Sequence, residues 1–316
     1  MGRANRRTVA VALWRMSRPA QLALIALVYG LGVAMAAARG AIAEPARVGL
    51  GLAVLLPVAA SVHYANEYAD AETDAITDRT PFSGGSGALS ETGLPRSVAL
   101  RAAVGSGAVG VALVGLAAGP IGLAASPLGG GALPTAAATL LFGILVVGWQ
   151  YSVGPLRLAW RGLGEVANAA LGGVALPLYG FAVVAGEVTA GAALATVPFA
   201  LVVFVNLLET QWPDRRADAA VGKRTLPTRW SPGRLRAVYV GAGLAAAGSA
   251  VALTGRALPV PVAVGTLAPM TALVPGALRF TRRDEPLPAV AAMVAVAVGS
   301  TVGWAVVAGL PAAVVG

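Results

Sequence analysis

Residues 48–78 read VGLGLAVLLPVAASVHYANEYADAETDAITD. From Val48 to Asn66 the run is largely apolar and holds no Asp, Glu, Lys or Arg; an acidic stretch begins at Glu67. A helix needs about 20 apolar residues to cross ~30 Å of hydrocarbon. This segment therefore predicts a membrane span that delivers acids to one face of a bilayer.

Eight further apolar runs of similar length surround it. The nine expected spans are Gln21–Ala38, Val48–Asn66, Val98–Gly119, Thr135–Tyr151, Ala167–Ala185, Ala192–Leu208, Val238–Leu253, Val260–Leu278 and Val290–Leu310. The fifth is interrupted by Pro177 and several glycines. Composition agrees, because 57% of the 316 residues are hydrophobic and 12% charged, against about 25% charged in a soluble domain. The 41 glycines suit helices that pack through small side chains. The expected fold is all-α: nine transmembrane helices in one domain, 1–316, with 1–19 a cytoplasmic tail followed by no cleavage site.

Charge placement fixes an orientation. With the N-terminus in the cytoplasm, 20 of the 23 Lys and Arg residues fall on that side, leaving Arg39, Arg47 and Arg256 opposite. That bias obeys the positive-inside rule and puts the C-terminal Gly316 outside; the expected location is the plasma membrane. The net charge of +9 thus reports topology and the lipid bilayer as a partner; no nucleic acid is expected. The chain has no Cys and a single His, His63, which excludes disulfides and multi-His zinc sites.

Five of the 14 acids lie between Glu67 and Asp78, and three between Glu209 and Asp218. Asn66, Asp70, Asp74 and Asp78 recur every four residues, as do Asp214 and Asp218, a spacing that aligns side chains on one helical face. Like charges so placed repel unless a cation lies between them. Oxygen ligands suit Mg²⁺, whose shell is commonly completed by water and substrate phosphates. Two facing carboxylate pairs could hold Mg²⁺ ions on one diphosphate, with Arg79, Lys223 and Arg224 taking up remaining negative charge. Tyr151 and Arg157 either cover this site or serve as an interfacial tyrosine and a topological arginine. His63 is expected to be a hydrogen-bonded interfacial residue.

These residues resemble the UbiA-type intramembrane prenyltransferases. Asn66-Glu67-Tyr68-x-Asp70-x-x-x-Asp74 is similar to the family's first Asp-rich motif, with Glu67 where many relatives carry Asp. Asp214-x-x-x-Asp218-x-x-x-Gly222-Lys223-Arg224-Thr225-Leu226 is similar to the second. Arg79-Thr80-Pro81-Phe82-Ser83-Gly84-Gly85-Ser86-Gly87 and Arg161-Gly162-Leu163-Gly164-Glu165 resemble the menaquinone branch, the 1,4-dihydroxy-2-naphthoate prenyltransferases. The resemblance implies nine helices around a central cavity with a cytoplasmic cap, and Mg²⁺-dependent transfer of an isoprenoid chain from a prenyl diphosphate to an aromatic acceptor. It implies Asn66, Asp70, Asp74, Asp214 and Asp218 as metal ligands, and Arg79 and Lys223 as diphosphate contacts. The alternatives are a terpene cyclase on the same scaffold, which needs no acceptor, and a membrane transporter. A transporter would carry its acids near mid-membrane in broken helices, not on one side.

Overall fold

The computed structural model describes residues 5–80, 84–118 and 133–309. Among them, nine helices are long and apolar enough to cross a membrane. Spans 1 to 9 are Pro19–Ala37, Pro45–Ala69, Ser97–Ala118, Thr135–Ser152, Gly164–Ala185, Ala190–Gln211, Pro232–Leu253, Val260–Arg279 and Leu287–Val307. They match the nine expected spans one for one; the expected ends at Gly119 and Leu310 lie outside the described residues, as do Arg3, Pro81, Phe82, Ser83 and Gly316.

Prolines shape these helices in an orderly way. Span 5 is continuous despite Pro177, because a π-helical turn over Leu171–Ala175 precedes it. That wider turn accommodates a ring that would otherwise clash with the carbonyl four residues back. Span 8 instead breaks between Met270 and Leu273. The missing N–H and the ring of Pro275 disrupt the bond that would run to Thr271.

Packing relies on small residues and a few interhelical hydrogen bonds. A Cβ at Gly32 would strike the Pro177 carbonyl, and one at Gly180 the Tyr29 carbonyl, so spans 1 and 5 touch backbone to backbone. Gly265 and Gly299 do the same for spans 8 and 9. Span 2 lies against Gly107 and Gly110 of span 3 and Gly148 of span 4. The Tyr179 hydroxyl donates to the Gly51 carbonyl at 2.7 Å, the Tyr29 hydroxyl to the Val48 carbonyl at 2.8 Å, and the Ser61 hydroxyl to the Ala103 carbonyl at 2.7 Å. Polar groups satisfied within the bundle are what a lipid surround demands. Phe142, Leu244 and Val264 are exposed on the outside of the bundle, where lipid would cover them. A small void is lined by Leu31, Pro177, Phe199, Val262 and Trp304 where spans 1, 5, 6, 8 and 9 meet.

One end of the bundle carries a cap. The short helices Ala71–Asp74, Ala88–Thr92, Arg215–Ala220 and Leu226–Arg229 gather there. Residues 6–16 form a helix packed on the same end, where the Tyr64 hydroxyl donates to the Leu13 carbonyl at 3.1 Å. His63 Nδ1 lies 2.8 Å from the Ser17 carbonyl, so this histidine anchors the end of that helix. At the far end Arg39 donates to the carbonyls of Gly191 and Ala257 and covers the Trp304 ring.

The close backbone contact yields a direct test. Gly32→Ala forces a methyl into the Pro177 carbonyl and should cost about 1–3 kcal/mol, lowering the thermal unfolding midpoint in detergent by several degrees. Gly30→Ala, two residues away with no neighbour within 4 Å, should leave the midpoint unchanged or slightly raised. Equal behaviour of the two variants would contradict the packing of spans 1 and 5.

Candidate active site

Span 2 ends at Ala69 with Asp70 as its C-cap, yet helical hydrogen bonding carries on: the Asp70 N–H donates to the Asn66 carbonyl and the Asp74 N–H to the Asp70 carbonyl, each at 2.8 Å. Asn66, Asp70 and Asp74 therefore keep the expected alignment. Asp78 does not. It follows the turn at Ile76 and is exposed, because the helix stops at Asp74.

The second cluster is built differently. Span 6 ends at Gln211, Asp214 caps the short helix Arg215–Ala220, and Asp218 is buried on it. Gly222, at φ +79°, then reverses the chain, and the Lys223 N–H donates to the Asp218 carbonyl at 2.8 Å. The reversal requires a left-handed residue, which glycine supplies without steric cost. It returns the Lys223 side chain to the middle of the site, with Nζ 3.1 Å from Asp70 Oδ1 and 3.5 Å from Asp218 Oδ1. Two motifs about 150 residues apart thus share one ammonium.

Electrostatics follow from that geometry. Burial works against the charge on Lys223, but Asp70 and Asp218 outweigh it and raise its pKa. Burial pushes the Asp218 carboxyl up to about 6, with Lys223 opposing and Asp70 adding. Asp74 rises to about 7, chiefly through burial, then through repulsion from Asp70 and Glu67, against the pull of Arg18 and Lys223. An acid destabilised as an anion is one that gains from an added cation.

A glycine strap lies across both clusters. The Gly84 N–H donates to Asp214 Oδ2 at 3.3 Å, and Gly85 is so close to the Asp74 carboxylate that a Cβ would strike it. Gly84, Gly85 and Gly87 all have φ between +65° and +80°. Ser86 is tied to Glu67, its N–H donating to Oε1 at 3.0 Å and its hydroxyl to Oε2 at 2.6 Å.

The remaining expected residues divide. Tyr151, near the end of span 4, lies among Lys223, Glu165, Asp70 and Asp218 and so belongs to the site. Arg79 is at the strap, packed on Gly84 and Gly87, but its guanidinium is paired with Glu91 at 2.7 Å and donates to Ser90 Oγ at 3.1 Å. Arg15 shares Glu91, and these two hydrogen-bonded arginines hold that carboxyl down at about 2. Arg157 is not brought to the cluster: it is exposed and stacks on Trp160, 4.1 Å from the ring centroid. The Arg224 side chain is exposed, and its backbone N–H donates to the Trp160 carbonyl at 3.3 Å. Three glutamates are buried among the described residues, and one of them, Glu209, accepts the Tyr239 hydroxyl at 3.0 Å. Glu67 holds the strap; Glu165 accepts the Leu226 N–H at 2.7 Å, fixing the end of the second motif. The signal for both was an acid at the end of an apolar helix, and for Glu67 also its place off the four-residue stripe.

Among the described residues no three acidic or imidazole groups enclose a metal by themselves. The donors nevertheless fit a hard cation that keeps waters and phosphates in its shell. They are carboxylate oxygens, and the Asn66 Oδ1 beside them is buried without a hydrogen-bond partner.

The model of the UbiA prenyltransferase family matches residues 23–298. The chain belongs to that family. This UbiA prenyltransferase also matches solved structures. A UbiA homolog from Archaeoglobus fulgidus bound to GPP and Mg²⁺ aligns at a TM-score of 0.64 and 16% identity, covering 94% of this chain and 99% of that one. The apo UbiA homolog from Aeropyrum pernix K1 aligns at 0.64 and 18%, covering 89% and 97%. A digeranylgeranylglyceryl phosphate synthase structure aligns at 0.62 and 12%, covering 94% and 98%. At these identities the likeness concerns the fold. No curated protein matches the sequence. The family and the nine apolar helices make the chain a multi-pass membrane enzyme.

The raised acids give a pH prediction with a definite sign. The folded protein binds protons at Asp74 and Asp218 up to about 7 and about 6, against an ordinary 3.8. Between those limits it holds more protons than the unfolded chain, so their contribution to stability falls as pH rises. In protein stripped of divalent cations, the thermal midpoint should drop from about pH 4.5 to about pH 7.5, and Asp74→Asn should flatten that slope. A slope unaltered by Asp74→Asn would contradict the burial of this acid.

Proposed function

We propose that the enzyme transfers an isoprenoid chain from a prenyl diphosphate to an aromatic, quinone-precursor-like ring, with Mg²⁺ as cofactor. The observation that carries this reading is the convergence of Asp70 and Asp218 on Lys223, beneath a glycine strap that touches Asp74 and Asp214. An anion-binding cation flanked by four cation-binding carboxylates suits a metal diphosphate. Support comes from Archaeoglobus fulgidus homologs solved with GPP and Mg²⁺ and with DMAPP and Mg²⁺. In this proposal residues 1–316 act as one transferase domain of the plasma membrane. The N-terminus and the acidic cap face the cytoplasm, where the positive charges concentrate, and Gly316 lies outside.

Asn66, Asp70, Asp74, Asp214 and Asp218 would hold the metal. Bound there, Mg²⁺ supplies Lewis-acid stabilisation of the negative charge that grows on the departing diphosphate. Lys223 adds a fixed positive charge at the same place and needs no reorganisation to do so. Arg79 joins it by exchanging Glu91 for a phosphate oxygen. The apolar helices hold the isoprenoid tail and exclude water from the allylic cation. Attack by a ring carbon and loss of a proton or carboxyl group complete the transfer. The Gly-rich segments at Gly84–Gly87 and Gly162–Gly164 support a dihydroxynaphthoate-like acceptor, because they let backbone approach a flat ring.

Turnover of geranyl diphosphate tests the proposal. Asp70→Ala and Asp218→Ala should each lower the rate at least ~100-fold, the scale expected when transition-state charge stabilisation is lost. EDTA should silence the wild type and added Mg²⁺ restore it. Glu72→Ala should stay within about threefold, since Glu72 is exposed and meets Arg96 in a surface pair. Diphosphate release should accelerate when a dihydroxynaphthoate-like ring is supplied, with the prenyl chain recovered on that ring. Acceptor-independent release with a cyclic product would replace the transferase by a terpene cyclase.

A further inference from the structure

We propose that Glu67, with Arg18 as its counter-charge, is a positioning residue that fixes the Gly84–Gly87 strap across the two carboxylate clusters. Glu67 is 2% exposed, and both of its oxygens are used. Oε1 accepts from Arg18 at 2.9 Å and 2.6 Å and from the Ser86 N–H at 3.0 Å; Oε2 accepts the Ser86 hydroxyl at 2.6 Å. A buried carboxylate with its acceptor sites so occupied has little capacity left for a cation. It is therefore distinct in role from Asn66 and Asp70, although it lies between them in sequence.

The geometry gives those bonds a consequence. Ser86 is the one non-glycine residue in Gly84–Gly87, and it carries the side-chain tie; its neighbours touch Asp74 and Asp214. Three residues at positive φ make the segment entropically costly to order, so it needs an external anchor. The carboxylate provides one through charge-assisted bonds. Arg18, at the N-terminal cap of span 1, offsets the cost of burying the anion. Arg15 donates to the Ser86 carbonyl at 2.9 Å from the N-terminal helix. The strap is thereby bound to both the second span and the segment preceding the first.

The catalytic consequence rests on the prenyl-transfer reading; the anchoring does not. Amide hydrogen exchange should be followed over residues 84–90 in purified protein without metal or substrate. Ser86→Ala, which removes one hydroxyl from a partly exposed position, and Glu67→Gln should each speed exchange there at least tenfold, with peptides from the middle of span 2 unchanged. Ser86→Thr keeps the hydroxyl and should exchange like wild type. With geranyl diphosphate and Mg²⁺, Ser86→Ala should raise KM several-fold while kcat changes less, and Ser86→Thr should restore KM. Unchanged exchange in Ser86→Ala and Glu67→Gln would overturn the proposal, as would faster exchange with an unaltered KM. A wild-type protein that turns over no prenyl diphosphate would sink the transferase reading instead, leaving exchange to decide the anchoring.

Discussion

The ammonium of Lys223 holds together two carboxylates that arrive from distant parts of the chain: Asp70 from the end of span 2 and Asp218 from the short helix after span 6. Both acids sit at the edge of a bundle surrounded by lipid, where an unpaired charge is costly. Much of the cap can be understood as meeting that one constraint. The left-handed Gly222 turns Lys223 back into the site, and Glu165 pins the chain just beyond it through the Leu226 N–H.

A second layer of charge surrounds this centre. Arg18 and Glu67 pair inside the cap, while Arg15, Arg79 and Glu91 form a more exposed group at its rim. The inner pair is satisfied by fixed bonds and belongs to the scaffold. The outer group is solvated, so exchanging one of its partners costs little. In the proposed reaction that contrast would let Arg79 exchange its partner for a diphosphate oxygen without unmaking the fold, and it separates the glutamate bonded to the strap from the aspartates beneath it.

The bundle was legible from apolar length and loop charge, because lipid forces both to be written plainly. All nine spans could be placed, and only local proline effects went unread: the π turn before Pro177 and the break before Pro275 depend on how neighbouring carbonyls are accommodated. The Asn66, Asp70, Asp74 stripe was legible from its four-residue period; Asp78 fell away because a period does not reveal where a helix stops. Arg157 carried two readings in the sequence, and the structure sets it on Trp160 away from the acids. Its stacking on Trp160 depends on a left-handed backbone at Arg157, which residue type does not announce. Glu67 and Glu165 stood in view in the sequence, but their partners, Ser86 and Leu226, are 19 and 61 residues distant, and long-range pairing leaves no local pattern.

At the centre stands the claim that the two clusters form one metal diphosphate site. It is tested most directly by equilibrium binding of a non-hydrolysable geranyl thiodiphosphate to the purified protein, titrated with and without Mg²⁺. Binding should require Mg²⁺ and should weaken to a similar degree in Asp70→Asn and Asp218→Asn, because each removes a carboxylate from a shared site. Binding that is indifferent to Mg²⁺, or that responds to one cluster and not the other, would contradict it.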